Sequence, residues 1–319
     1  MARFATRRSV WRYSLIVALA LVPSVAHAEG LTIALTNDDG WDAPGIQALK
    51  DVLRDHGHAV TLVGSSTRQS GSGTAANLSR INVHKHGDRE YSAALSNGRG
   101  AEPVTCALLA VDIATSLDGR RPDLLVSGIN SSANIGSTAM HSGTVGAVVG
   151  ALNQGLNGPI PGIAISTDEP DCDDDCVRDH YRNVAVYLAE LIEHLQSKPG
   201  FLEAESGFLP EGVGLNVNYP TLARDQIQGV RVTKQGRFFG FVEPYVTSVR
   251  CADCVGLAIG ETASSNLTRE TPPEPEAEDS DAAAFYAGYI TIVPIEADFT
   301  SRNYARFAEV VTTELSPPD

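Results

Sequence analysis

Leu31-Thr32-Ile33-Ala34-Leu35-Thr36-Asn37-Asp38-Asp39-Gly40, followed by Trp41-Asp42-Ala43-Pro44-Gly45, is the stretch from which the rest of the chain can be read. It opens as a short apolar run suited to a buried strand and ends in three acceptor side chains, Asn37, Asp38 and Asp39. Gly40 lets the chain turn sharply, because glycine tolerates positive φ. Pro44 stands where a helix starts, and Ile46, Leu49, Val52 and Leu53 follow at helical spacing. The pattern is strand, acidic loop, helix. In open α/β sheets ligands bind beyond the carboxyl ends of the strands, which is where Asp38 and Asp39 fall. Two carboxylates aimed into one crevice repel unless a cation or a shared proton offsets the charge. Hard divalent cations take such oxygen ligands. The competing reading is a solvated turn, since Asn-Asp-Asp-Gly is also good turn chemistry.

Outward from this stretch, residues 58–63 read as a second strand, completing a βαβ unit. Residues 64–73 form a Gly/Ser-rich loop after that strand, in the position of a site loop. Residues 81–95 read as an irregular excursion with short strands, 105–117 as a helix, and 122–127 as another buried strand. That strand runs into Gly128-Ile129-Asn130 and on to Asn134-Ile135-Gly136. Ser142-Gly143-Thr144-Val145-Gly146 then opens an apolar helix whose first N–H groups make an anion site. A plain serine N-cap would use the same residues without a ligand.

Further on, residues 160–166, 214–220 and 230–233 read as strands, 168–179 as an acidic loop and 177–195 as an amphipathic helix. Residues 238–246 suit an extended arm, and 261–281, rich in Pro, Glu and Asp, a disordered or solvated insertion. Residues 285–295 read as a strand and 303–315 as a helix. The alternation of strands and helices points to an α/β fold.

The chain has 319 residues, 43% of them hydrophobic, with a formal net charge of -15. No basic cluster lies beyond the N-terminus, which argues against a nucleic-acid polymer as partner. Residues 1–28 read as a signal peptide: Arg3, Arg7, Arg8 and Arg12 precede an apolar core over 14–25, and Ala26-His27-Ala28 suits cleavage. An export signal, with Arg7-Arg8 allowing a twin-arginine route, predicts a periplasmic or secreted protein with no membrane association after cleavage. Catalytic residues are then expected within 29–235, and the arm, acidic insertion and C-terminal helix within 236–319.

Four of the five cysteines form close pairs, Cys172 with Cys176 and Cys251 with Cys254, while Cys106 lies in an apolar run as a buried free thiol. Export favours two local disulfides; bridging between the pairs and a four-cysteine zinc site are the alternatives.

Taken together, Thr36-Asn37-Asp38-Asp39-Gly40 with Ala43-Pro44-Gly45, Gln69-Ser70-Gly71, Ser127-Gly128-Ile129-Asn130, Asn134-Ile135-Gly136 and Ser142-Gly143-Thr144-Val145-Gly146 resemble the SurE family of survival-protein-E nucleotidases and acid phosphatases. Gly229 to Thr233, Gly288 to Pro294, Asp298 and Thr300 extend the likeness. The resemblance implies a Rossmann-like three-layer α/β/α domain with a mostly parallel sheet, and one divalent metal per subunit, Mg²⁺ or Mn²⁺ with Ca²⁺ also admissible, held by Asp38, Asp39, Ser70 and Asn130. It implies a phosphate cradle of Asn134, Ser142, Gly143 and Thr144. It also implies assembly into a homodimer or homotetramer through an extended β-hairpin and C-terminal arm. The sequence departs from the family pattern at Gly64 to Thr67, Ala101 to Thr105, Ser137-Thr138, His141 and Gly150, mostly in loops on the substrate side.

The expected activity is hydrolysis of phosphate monoesters, with nucleoside 5′/3′-monophosphates as substrates and Asp38 or Asp39 as base. His141 is the nearby imidazole, able either to protonate the leaving alkoxide or simply to pack. The alternatives are a broad acid phosphatase or short-chain polyphosphatase, and a non-catalytic exported protein that captures metal or phosphate ligands.

Overall fold

The structure is a computed structural model and describes residues 30–77, 79–153, 159–198, 209–210, 212–238, 276–301, 303–306 and 308–309. β1 (Thr32–Thr36) is buried at every position and leads into α1 (Pro44–Asp55), which returns the chain to β2 (Ala59–Ser65). β3 (Ile81–Gly87) and β4 (Glu90–Leu95) form an antiparallel hairpin whose second strand lies parallel to β2. α2 (Pro103–Asp118) then carries the chain back to β5 (Leu124–Asn130), on the other side of β1. α3 (Gly143–Leu152), β6 (Gly162–Thr167), α4 (Asp174–Gln196) and β7 (Val213–Tyr219) continue in that direction. β8 (Val230–Val232), α5 (Asp281–Tyr286) and β9 (Ile290–Glu296) complete the described elements.

One sheet runs β3-β4-β2-β1-β5-β6-β7-β9-β8. Its centre is parallel, and β9 runs antiparallel to β7. Strand order reverses between β1 and β5, so the connections leaving their carboxyl ends run to α1 on one face and α3 on the other, the switch point where such folds bind ligands. Helices cover both faces, which is why the central strands carry near-continuous apolar runs. On one face Ile46, Leu49 and Leu53 of α1 and Val184, Leu188 and Ile192 of α4 close over Ile33 and Leu35. On the other, Cys106, Ala107 and Ala110 of α2 and Val145 and Val148 of α3 pack on Ala34, Val63 and Leu125. Each fully buried Leu or Ile contributes about 1.5–3 kcal/mol relative to exposure. Two clusters of this size hold the strand ends fixed.

Several elements differ from expectation. Residues 81–95, expected as an irregular excursion with short strands, form one antiparallel hairpin with a register shift between Lys85 and Gly87. Val83-His84-Lys85-His86 on β3 is exposed throughout, so alternation, the usual signature of a strand, is missing at this charged sheet edge. The acidic segment 168–179 is not all loop, because α4 starts at Asp174: Asp173 caps it by accepting from Cys176 N at 2.9 Å. Acids in the first turn suit the positive end of a helix. A disulfide joins Cys172 to Cys176 across that cap, and Cys106 is a buried free thiol, both as expected.

The expected strand over 285–295 begins only at Ile290; Phe285 and Tyr286 end α5. Of residues 276–281, expected to be disordered or solvated, 277–279 are exposed, but Ser280 caps α5 and Asp281 is fully buried. The C-terminal helix is seen as helical residues at 304–306 and 308–309. The expected signal peptide, the expected arm beyond Phe238, the Cys251/Cys254 pair, residues 261–275 and residues 310–315, expected as helix, lie outside the described residues.

Candidate active site

β1 delivers Asp38 and Asp39 to the crevice. Asp38 is almost completely buried, and its Oδ1 accepts from Thr144 Oγ1 at 2.7 Å. Burial pushes its carboxyl above the usual carboxylate range; the Thr144 bond opposes this and the neighbouring Asp39 charge reinforces it. The Asp38 carbonyl accepts from Gln69 N at 2.7 Å, which ties the 66–73 loop to the acidic turn. Asp39 Oδ2 accepts from Ser131 N at 3.0 Å, just beyond the end of β5. Asp39 Oδ1 is buried without a hydrogen-bond partner. Arg68 Nε lies 3.1 Å from it, but its N–H is directed to Ser70 Oγ, at 2.7 Å, so the contact with Asp39 is Coulombic only.

Asn130 is the last residue of β5 and is largely buried. Its Nδ2 donates to Ser132 O at 2.5 Å, which orients the amide within its turn. The structure thus brings together Asp39, Ser131 and, through Arg68, Ser70, with Asn130 adjoining Ser131 in the chain. The four expected metal residues offer two carboxylates, a hydroxyl and an amide, the all-oxygen donor set a hard cation takes. Asp39 Oδ1, which no donor hydrogen-bonds, fits that use, because a buried acceptor without a donor costs free energy. Among the described residues no group of three His, Cys, Asp or Glu side chains is placed to hold a metal.

The first turn of α3 forms the facing wall. Ser142 is its N-cap, with Oγ accepting from Val145 N at 3.1 Å. Gly143 and Thr144, the next two residues, have no intrahelical acceptor for their N–H groups. A Cβ on Gly143 would lie 2.9 Å from Asp38 Cβ, and one on Gly146 would lie 1.9 Å from Gly73 O. Glycine at these positions therefore lets the helix end press directly onto the acidic turn and the 70–73 loop. Thr144 uses its hydroxyl on Asp38, so only its backbone N–H remains for a ligand. His141 is exposed at the end of the 3₁₀ turn Gly136–His141, and its carbonyl accepts from Gly73 N at 3.1 Å.

Asn134, also buried, has its polar groups engaged by the protein. Its N–H donates to Asn218 Oδ1 at 2.6 Å and its Nδ2 to Ser166 Oγ at 2.8 Å. Its carbonyl accepts from Asn216 Nδ2 at 2.8 Å and Asn218 Nδ2 at 3.2 Å. The amide is held by this buried network, which sequence reading missed. Asn216 and Asn218 were its signal: two amides at period two on one face of an apolar strand need partners.

Asp281 is another residue missed. Its carboxylate accepts from Gly136 N at 3.0 and 3.1 Å, and its Oδ1 from Gly236 N and Ala282 N at 2.8 Å each. It pins the turn that leads to Ser142. Ala133, Ile135, Phe238, Ala282 and Phe285 form a small apolar cluster beside it.

A family model described as Survival protein SurE matches residues 33–239. The chain is 33% identical over 287 residues to the 5′-nucleotidase SurE of Nitratidesulfovibrio vulgaris (strain DP4), covering 88% of this chain and 99% of that protein. It is 32% identical over 277 residues to the 5′/3′-nucleotidase SurE of Yersinia enterocolitica, covering 85% and 93%. The crystal structure of SurE protein from Aquifex aeolicus superposes with a TM-score of 0.64 at 24% identity, over 88% of this chain and 98% of that one, a likeness of fold. With the family match spanning the acidic turn, the 66–73 loop, the end of β5 and the start of α3, this chain belongs to the SurE family.

Proposed function

We propose that this phosphoric monoester hydrolase acts on nucleoside 5′- and 3′-monophosphates with the help of one divalent metal, Mg²⁺ or Mn²⁺. The observation that carries the reading is the shared wall: the open N–H donors of α3 abut an acidic pair through the Thr144–Asp38 bond. A place for an anion and a place for a cation therefore adjoin, as a metal-assisted phosphatase requires. Asp38, Asp39, Ser70 and Asn130 would hold the metal. When bound, it would polarise a phosphoryl oxygen and lower the pKa of an attacking water. Asp38 or Asp39 takes the proton from that water. The Gly143 and Thr144 N–H groups hold the phosphate oxygens, with Asn134 fixed behind them. The names of the curated relatives support nucleotides over other esters.

We also place the mature protein outside the cytoplasm and in a homo-oligomer. The Cys172–Cys176 disulfide supports the first, since disulfides persist in oxidising compartments.

The test is a panel of AMP, 3′-AMP, pyridoxal phosphate, p-nitrophenyl phosphate and tripolyphosphate against several divalent metals. The highest kcat/KM is expected on a nucleotide; preference for tripolyphosphate would replace the nucleotidase reading with a polyphosphatase one. Ser142→Ala adds a check on the cradle. Loss of the cap should cost about 1 kcal/mol of stability. KM for phosphate esters should rise severalfold with kcat nearly unchanged, because the loosened turn holds substrate and not the attacking water. A fall in kcat at constant KM would remove the α3 turn from the binding role.

A further inference from the structure

We propose that Arg68 is a counter-cation built into the acidic crevice, which yields Asp39 to an incoming divalent metal and couples metal binding to binding of the substrate's phosphate. The inference rests on the metal reading above. The guanidinium lies among oxygens of three segments: Ser70 Oγ at 2.7 Å, Asp39 Oδ1 at 3.1 Å and Ser131 Oγ at 3.2 Å. Two of these belong to the proposed metal set. Metal–oxygen distances of about 2.0–2.6 Å leave no room for a second positive group on the same oxygens. Metal and Arg68 therefore compete.

The two ends of the Arg68–Asp39 pair differ. The Asp39 side chain is 8% exposed and fixed by Ser131 N, whereas the Arg68 side chain is 60% exposed. Arg68 is the partner that can leave. Once displaced, it is an uncompensated cation at the rim of the site, and a guanidinium matches phosphate oxygens in a bidentate fork. A phosphate that engages Arg68 draws it away from Asp39 and frees the oxygen the metal needs. By linkage, each ligand then tightens the other.

The test is calorimetric titration of Mn²⁺ into metal-stripped wild type, Arg68→Gln and Arg68→Lys, with and without inorganic phosphate, with circular dichroism to confirm the fold. Without phosphate, Arg68→Gln should bind Mn²⁺ about fivefold more tightly than wild type, the scale of an ion pair with one exposed partner. Arg68→Lys should fall between them. Phosphate should tighten Mn²⁺ binding to wild type, and less so to Arg68→Gln. Equal or weaker Mn²⁺ binding to Arg68→Gln, or phosphate coupling as large as in wild type, overturns this role for Arg68 and leaves the metal reading standing. No Mn²⁺ binding to any of the three proteins overturns both.

Discussion

Asp38→Asn should abolish turnover while leaving the protein folded. The amide keeps the size of the side chain, and Asn Oδ1 can still accept the Thr144 hydroxyl that now reaches Asp38 Oδ1 at 2.7 Å. What changes is the charge offered to the metal. Losing a residue that merely supports a metal ligand costs roughly 10–100-fold in affinity or activity. Loss of the ligand charge itself should exceed about 100-fold in kcat/KM on the same scale. The stability of the metal-stripped protein should move the other way. Asp38 is 3% exposed and adjacent to Asp39, so its charge is a cost when no metal is bound, only partly offset by Arg68 and the Thr144 bond. The variant should therefore melt at the same temperature or higher. Wild-type rates in Asp38→Asn would remove the acidic pair from the mechanism even with the fold unchanged.

Asp281→Ala should be the most destabilising single change outside the two main cores. Its carboxylate serves the N–H groups of Gly136, Gly236 and Ala282, and it is completely buried. Each buried donor left without an acceptor costs about 1–3 kcal/mol, so a loss of about 3 kcal/mol or more is expected in urea denaturation. Asp281→Asn should lose much less, because an amide oxygen still accepts. Turnover should fall with stability in the alanine variant, since Gly136 opens the turn that ends at Ser142. A change below about 0.5 kcal/mol, the range of ordinary surface substitutions, would mean the clasp contributes nothing.

These two residues differ in how legible they were. Asp38 could be read because three acceptors follow a buried apolar run, a local pattern with few explanations. The SGTVG block was legible as a helix start, and its glycines mark close approach to Asp38 and Gly73. What could not be read was which donor meets which acceptor. Thr144 looked like part of a phosphate cradle, but its hydroxyl is used on Asp38 across 106 residues of chain. Asn134 likewise turns its amide to Ser166.

Asp281 was misread for a different reason. It ends a run of acids and prolines, and composition alone averages over the one carboxylate that finds three N–H groups. The β3–β4 hairpin escaped because an edge strand with polar side chains on both faces shows no period. Arg68 lay within a Gly/Ser-rich loop where only Ser70 invited attention, and its place beside Asp39 arises only from the fold.

The most direct test is hydrolysis of AMP by protein treated with excess EDTA and then supplied with Mn²⁺ or Mg²⁺. The account predicts that the rate falls to background with chelator and returns with metal, and that Asp38→Asn gains little from the same addition. An undiminished rate in excess chelator would contradict it.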